Sequence, residues 1–312
     1  MLPLVSVIIP TYNRCPLLGE AVESVLAQSA KEFELVVIDD GSTDGTAKAL
    51  EKYGIRVRLF SQQRSGVSAA RNFGARQARG RFLAFLDSDD LWRAEKLAVQ
   101  TTFMQQHPKC QICQTEEVWL RNGARVNPRL IHQKPSGDIF LRSLELCLVS
   151  PSAVMMTREL FEATGGFDEA LPVCEDYDLW LRIAVDHRVA LIPEPLVIKR
   201  GGHADQLSRS LWGMDRYRVA ALQKLLRSGI RGARRAAAFA ALRRKVSILA
   251  QGARKRGREQ EAWNYEAKLA EFAEETVDVG VSDSRLCQGE RVSHPNAGAL
   301  VELAAVGSGR AG

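Results

Sequence analysis

Residues 81–90 read Arg-Phe-Leu-Ala-Phe-Leu-Asp-Ser-Asp-Asp. Phe82 to Leu86 is an unbroken apolar run of strand length, and it stops at Asp87, Asp89 and Asp90. A strand apolar on both faces must be covered on both faces, which is the condition inside a parallel sheet. The same phrase occurs twice upstream, where Leu4–Ile9 runs into Pro10–Arg14 and Glu34–Ile38 runs into Asp39–Gly45. Between these runs, Pro16–Gln28 and Val67–Ala78 repeat apolar residues at helical spacing, and Asp44–Tyr53 suits a helix opened by Asp44. With Ile55–Phe60 as another strand, the order is β-α-β-α-β-α-β. This predicts an α/β fold, a mostly parallel sheet flanked by helices, with ligands outside the carboxyl ends of the strands.

Beyond Trp92 the alternation loosens. Helices are expected at Arg93–Gln106, Asp138–Leu146 and Glu175–Val185, and strands at Gln111–Leu120, Ser152–Thr157, Val189–Ile192 and Leu196–Lys199. From Trp212 the pattern is helical, at Gly213–Arg227, Arg234–Lys255 and Glu259–Glu274. Three regions follow: an α/β domain over 1–211, a basic helical appendage over 212–276, and a tail over 277–312 expected to be disordered.

The chain has 312 residues, 46% apolar and 26% charged, which excludes collagen-like, mucin-like and wholly disordered classes. No run approaches the roughly 20 apolar residues of a membrane span. The N-terminus has no basic region ahead of its apolar stretch and reads as a buried strand, so a cytoplasmic protein is expected. The net charge of +6 is uneven, because Arg216 to Arg258 holds fourteen Lys and Arg and no acid. That segment is a candidate for peripheral contact with the inner face of a membrane, or else a solvated helical pair; no recognition motif for nucleic acid accompanies it. Cys110 and Cys113 form one CxxC with no second ligand pair, and all six cysteines read as ordinary reduced thiols.

Three stretches carry chemistry. In Asp87-Ser88-Asp89-Asp90, close carboxylates suit a divalent cation, or a helix N-terminus. In Asp39-Asp40-Gly41-Ser42-Thr43-Asp44-Gly45, Asp40 suits a base N–H or a ribose hydroxyl, or simply a turn. In Arg64-Ser65-Gly66-Val67-Ser68-Ala69-Ala70-Arg71, a glycine near a helix start between two arginines suits a diphosphate. Neither GxGxxG after the first strand nor GxxxxGK[ST] is present.

Together with Ile9-Pro10-Thr11-Tyr12-Asn13-Arg14 before them, and with Gly165-Gly166-Phe167-Asp168 and Glu175-Asp176-Tyr177-Asp178-Leu179-Trp180 after, these stretches occur in one order. The chain resembles the family 2 inverting glycosyltransferases, nucleotide-sugar enzymes of the GT-A fold, over about residues 4–210. The resemblance implies that Pro10, Thr11, Tyr12, Asn13, Asp40, Gly66, Arg71, Asp87 and Ser88 bind the donor nucleotide. It implies a DxD in Asp87 and Asp89 holding Mn²⁺ or Mg²⁺, with Asp89 the direct ligand. Asp176 of the Glu175-Asp176 pair is then the catalytic base. Trp180, one helical turn on, is expected to floor the acceptor site or to pack in the core. His203 follows Arg200 at one residue more than the family's spacing, and is expected to contact the metal or diphosphate, or nothing.

The implied reaction moves a sugar, expected to come from a UDP-sugar, to a hydroxyl acceptor, a glycan that is free or lipid-linked. Two rivals are a sugar-phosphate nucleotidyltransferase, whose Gly-rich basic loop after the first strand is missing, and a non-catalytic nucleotide-sugar-binding scaffold docking through its basic helices.

Overall fold

The computed structural model describes residues 2–127, 129–202 and 213–273. The first half follows the expected alternation: β1 (Val5–Thr11), α1 (Cys15–Leu26), β2 (Phe33–Asp39), α2 (Thr46–Leu50), β3 (Arg58–Ser61), α3 (Val67–Gln77) and β4 (Phe82–Phe85). β1 lies between β2 and β4, β3 lies on β2, and all these pairings are parallel. Every residue of β1 is buried, because the strand is covered on both faces. Val5, Val7 and Ile9 meet Leu18, Val22 and Val25 of α1 on one side. On the other side α3 lies directly on the sheet, so that a Cβ on Gly74 would stand 2.5 Å from Ile8 Cγ2. Ser6, polar within this strand, is satisfied: its hydroxyl donates to Glu34 Oε1 at 2.6 Å and accepts from the Gly80 N–H at 2.8 Å.

The second half comprises β5 (Leu91–Trp92), α4 (Lys96–Gln106), β6 (Ile112–Arg121), β7 (Ala124–Val126), α5 (Phe140–Glu145), β8 (Val154–Thr157), α6 (Arg158–Ala163), α7 (Glu175–Ala184) and β9 (Ala190–Gly201). The sheet order is β3-β2-β1-β4-β8-β6-β9-β5, with β7 folded back on β6. β8 runs antiparallel to both β4 and β6, while β9 returns parallel to β6. This mixed half carries β5 and the end of β9 up to the carboxyl edge of β4.

Two expectations on element bounds change. The strand expected from Ile55 begins at Arg58, because Glu51–Arg56 forms a 3-10 turn around Gly54 at φ 54°, which leaves Ile55 fully exposed. The two short strands expected around Pro193 and Pro195 are one strand, β9, whose register with β6 slips between Thr115 and Glu117. Proline has no N–H for the ladder, so a slip there loses little.

The C-terminal helices are α8 (Asp215–Arg227), α9 (Gly232–Arg254), α10 (Glu259–Ala267) and α11 (Ala270–Ala273). Leu222, Leu225, Leu242 and Val246 share one apolar cluster with Leu179 and Trp180 of α7. Much of the basic run is neutralised by acids from outside it. Arg227 pairs with Glu271 at 2.6 Å, Arg254 with Glu266 at 2.8 Å, Arg234 with Asp138 at 2.9 Å, and Arg244 with Glu145. Among the described residues no helix is long and apolar enough to cross a membrane. The expected tail over 277–312 lies outside the described residues, as does His203.

Candidate active site

The ends of β1, β2 and β4 lie side by side, so their loops meet. Asn13, at φ 50°, stitches the first loop to the second: its N–H donates to Ser42 Oγ at 2.9 Å, and its Oδ1 accepts from the Thr43 N–H at 2.7 Å. Tyr12 carries Arg64 over its ring at 4.0 Å, and the same guanidinium donates to the Tyr12 hydroxyl at 2.8 Å. Pro10 and Thr11 are buried at the strand end, and among the described residues Thr11 Oγ1 has no partner.

Asp40 is buried and organises the entry to α3. It accepts from Gln62 Nε2 at 2.7 Å, from the Ser65 N–H at 2.8 Å and from the Gly66 N–H at 2.8 Å. A carboxylate offers about four acceptor positions, so one is left for a ligand. Gly66 has φ 95°, a conformation that suits glycine at this helix start.

Arg71, on α3 and 3% exposed, joins the distant acidic motifs. Its guanidinium donates to Asp87 Oδ1 at 2.6 Å and to Glu175 Oε1 at 2.7 Å, and lies 5.0 Å over the Phe167 ring. Burial works against ionisation of Asp87, but Arg71, Lys199 and Arg14 outweigh it and hold the carboxyl below its usual range. Burial and the Asp176 charge push Glu175 up to about 7 against the pull of Arg71. Asp89 pairs with Arg14, and Ser88 between the two acids is buried.

Asp90 is no helix cap, since α4 begins only at Lys96. It is 2% exposed, accepts from Ser152 Oγ at 2.7 Å and from the Arg200 N–H at 2.9 Å, and is pushed up to about 8 by burial and by Asp87 and Asp89. Lys199, one residue earlier on β9, donates to Ser150 Oγ at 3.1 Å. Burial disfavours its charge, yet Glu117, Asp90, Asp87 and Asp176 keep the ammonium protonated above the ordinary lysine range. Glu117 is itself paired with Lys134 at 3.1 Å, and against burial Lys134 and Lys199 bring it down to about 2.

Asp176 lies in the first turn of α7, half-buried. Its Oδ1 accepts from the Tyr177 N–H at 2.7 Å and its Oδ2 from Cys147 Sγ at 3.3 Å. Burial and the neighbouring Asp176 raise the Cys147 thiol well above its usual range, so it stays a donor. Trp180 does not line this space. It is 2% exposed, with its ring edge-on to Phe167 at 6.3 Å, and belongs to the core under α8.

The structure thus brings Asp40, Asp87, Asp89, Glu175 and Asp176 to one edge of the sheet, linked through α3, and sets Trp180 apart. Arg14, Asp90, Cys147, Lys199 and Arg200 join them. Sequence reasoning offered Asp90 only as a cation ligand or helix cap and Arg200 only as the residue ahead of His203. It left Arg14, Cys147 and Lys199 without a role, although Lys199 ends an otherwise apolar strand, which is a signal in itself. Among the described residues no three His, Cys, Asp or Glu side chains converge as a metal cage. Asp87 and Asp89 supply two hard oxygen donors, which fits Mg²⁺ or Mn²⁺ only when substrate phosphate completes the shell.

The profile of Glycosyl transferase family 2 matches residues 6–165. An uncharacterized glycosyltransferase of Rickettsia felis is 36% identical over 194 residues, 62% of this chain and 32% of the relative, so the chain spans about a third of that protein's length. The Escherichia coli UDP-Glc:alpha-D-GlcNAc-diphosphoundecaprenol beta-1,3-glucosyltransferase WfgD is 34% identical over 191 residues, 61% of this chain and 73% of the relative. Among solved structures, S. aureus TarS 1-349 in complex with UDP-GlcNAc matches with a TM-score of 0.67 and 22% identity, over 86% of this chain and 81% of the TarS 1-349 chain. The Pyrobaculum calidifontis mannosyltransferase PcManGT, in complex with GDP-Man and Mn²⁺, matches at 0.58 and 21%, over 86% of each chain. These two likenesses establish a shared GT-A fold.

Proposed function

The chain belongs to glycosyl transferase family 2, and from that premise we propose that it moves one sugar from a uridine diphosphate donor to a glycan hydroxyl with inversion at the anomeric carbon. The observation that carries this reading is Arg71, which holds Asp87 and Glu175, 88 positions apart in sequence, on one guanidinium. The nucleotide end is the loop cluster of Pro10, Thr11, Tyr12, Asn13, Asp40 and Gly66, and the sugar end is the acid cluster around Asp87, Ser88, Asp89 and Asp176.

The two acids of the Glu175-Asp176 pair divide the work. Glu175 is committed to Arg71 and is 5% exposed. Asp176 is half-buried, aimed by a backbone N–H and a thiol, and is the group that takes the proton of the acceptor hydroxyl as its oxygen attacks. General-base assistance of this kind is worth roughly 10²–10⁴-fold. One displacement needs one base and no protein nucleophile, so the sugar inverts.

Asp89, with Asp87, would hold Mn²⁺ or Mg²⁺ together with the donor's diphosphate, and such an ion supplies charge neutralisation for the departing nucleotide. The Mn²⁺ in the PcManGT complex supports use of a divalent ion. Arg14, already on Asp89, and Lys199 are the chain's own cations at the same edge. The UDP-Glc donor and diphosphoundecaprenol acceptor in the name of WfgD support a UDP-sugar and a lipid-linked glycan for this chain.

The test is UDP release from a panel of UDP-sugars with Mn²⁺, with Mg²⁺ and with chelator, in the presence of glycan acceptors. Turnover that chelation abolishes is expected. Tight UDP binding without turnover on any donor would identify a scaffold instead.

A further inference from the structure

Between Val118 and Gly137 the sequence holds no Asp or Glu, while Arg121, Arg125 and Arg129 fall in it, and Arg142 follows on α5. All four arginines are exposed, and none has an acidic partner among the described residues. Of the seven large apolar side chains that stand exposed among the described residues, three lie in the same stretch: Leu130 at 86%, Ile131 at 60% and Leu141 at 63%. The β6–β7 hairpin, the turn at Leu130–His132 and α5 are joined. His132 packs on Trp119 at 5.4 Å between ring centroids, and the Arg142 guanidinium donates to the Gln133 carbonyl at 2.9 Å. Beneath them the buried Lys134–Glu117 pair anchors the turn.

We propose that this surface docks the protein on an anionic lipid bilayer. Arginines at the rim meet lipid phosphates, and the Leu130-Ile131 tip enters the boundary between headgroups and acyl chains. A second copy of the chain is a poor occupant, because a two-fold contact sets the same arginines against each other. A protein partner is also disfavoured, because the exposed apolar groups here are leucine and isoleucine, without the aromatic anchors of such interfaces. The basic C-terminal helices are the weaker candidate, since acids already hold Arg227, Arg234, Arg244 and Arg254. The inference does not rest on the catalytic reading.

The experiment is co-sedimentation of the full chain with phosphatidylcholine vesicles, with and without phosphatidylglycerol. Partitioning is expected only with the anionic lipid and is lost in high salt. Each basic residue near such a surface contributes about fivefold, so R125Q/R129Q is expected to lose roughly 25-fold. L130S/I131S is expected to lose several-fold at unchanged charge. The control R243Q/K255Q removes two exposed cations from the C-terminal helices and is expected to stay within about twofold, because the attraction is local. Unchanged melting temperatures show that the variants are folded. Absence of any preference for phosphatidylglycerol overturns the proposal, as does an equal loss in the control. A dimer in light scattering that L130S/I131S dissolves would also overturn it, making the face a self-interface.

Discussion

At the residue scale, the acid motifs act through the cations that hold them. Arg71 meets two carboxylates from different elements, and that requires a planar fork with donors on both tips. Arg71→Met leaves two acids short of their partner and, as with other broken buried pairs, is expected to cost about 3–5 kcal/mol of stability. Arg71→Lys is expected to restore little activity, because one ammonium cannot span both acids; denaturation midpoints and UDP release measure the two effects. Asp176→Asn keeps the shape of the site and removes the proton acceptor. Transfer should fall by roughly 10²–10⁴-fold while UDP affinity stays within a few-fold, and a variant that remains active would move the base elsewhere. Cys147 shows what residue types alone conceal. It reads as an ordinary thiol in the sequence, and only the fold sets its sulfur 3.3 Å from Asp176.

At the element scale, β1, β2 and β4 were legible because each is a continuous apolar run ending in polar residues, and burial on both faces imposes that pattern, whereas β3 carries Arg58, is only half-buried and was expected three residues too early. The close approach of neighbouring segments left weaker marks. Gly80 is an unremarked residue in the sequence, yet a Cβ there would stand 2.6 Å from Ser6 N and 2.7 Å from Val5 C, both backbone atoms. Gly80→Ala must therefore push β1 away from the turn that leads into β4. The expected loss is about 1–3 kcal/mol, as for other overpacked sites, read from the urea midpoint, and an unchanged midpoint would show that the turn yields freely. The slip between β6 and β9 was not legible either. Two prolines announce an interruption but do not say whether the strand ends or continues.

At the scale of the whole molecule, stability should depend on pH through a group far from the chemistry. Lys96 is fully buried, donates to Gln100 Oε1 at 2.5 Å and lies 3.9 Å over the Trp92 ring, and burial brings it down to about 7. Between about pH 7 and the ordinary lysine value near 10.4, the unfolded chain binds the proton that the folded chain has released, so stability rises with pH across that window. Below it both states are protonated and the cost of burying the charge is felt in full. Lys96→Met should raise the melting temperature at pH 7 and flatten the rise; a variant that melts lower at pH 7, or keeps the slope, would show that the lysine stabilises the core. By itself, the sequence determined the alternating α/β architecture, the family and the five carboxylates at the sheet edge, because these follow from local apolar period and from motifs in a fixed order. Only the tertiary structure decided which cation each carboxylate faces, that Trp180 packs inside, and that acids from other elements neutralise much of the basic run. Charge pairing and burial are set by distance through space, and a count along the chain does not contain that distance.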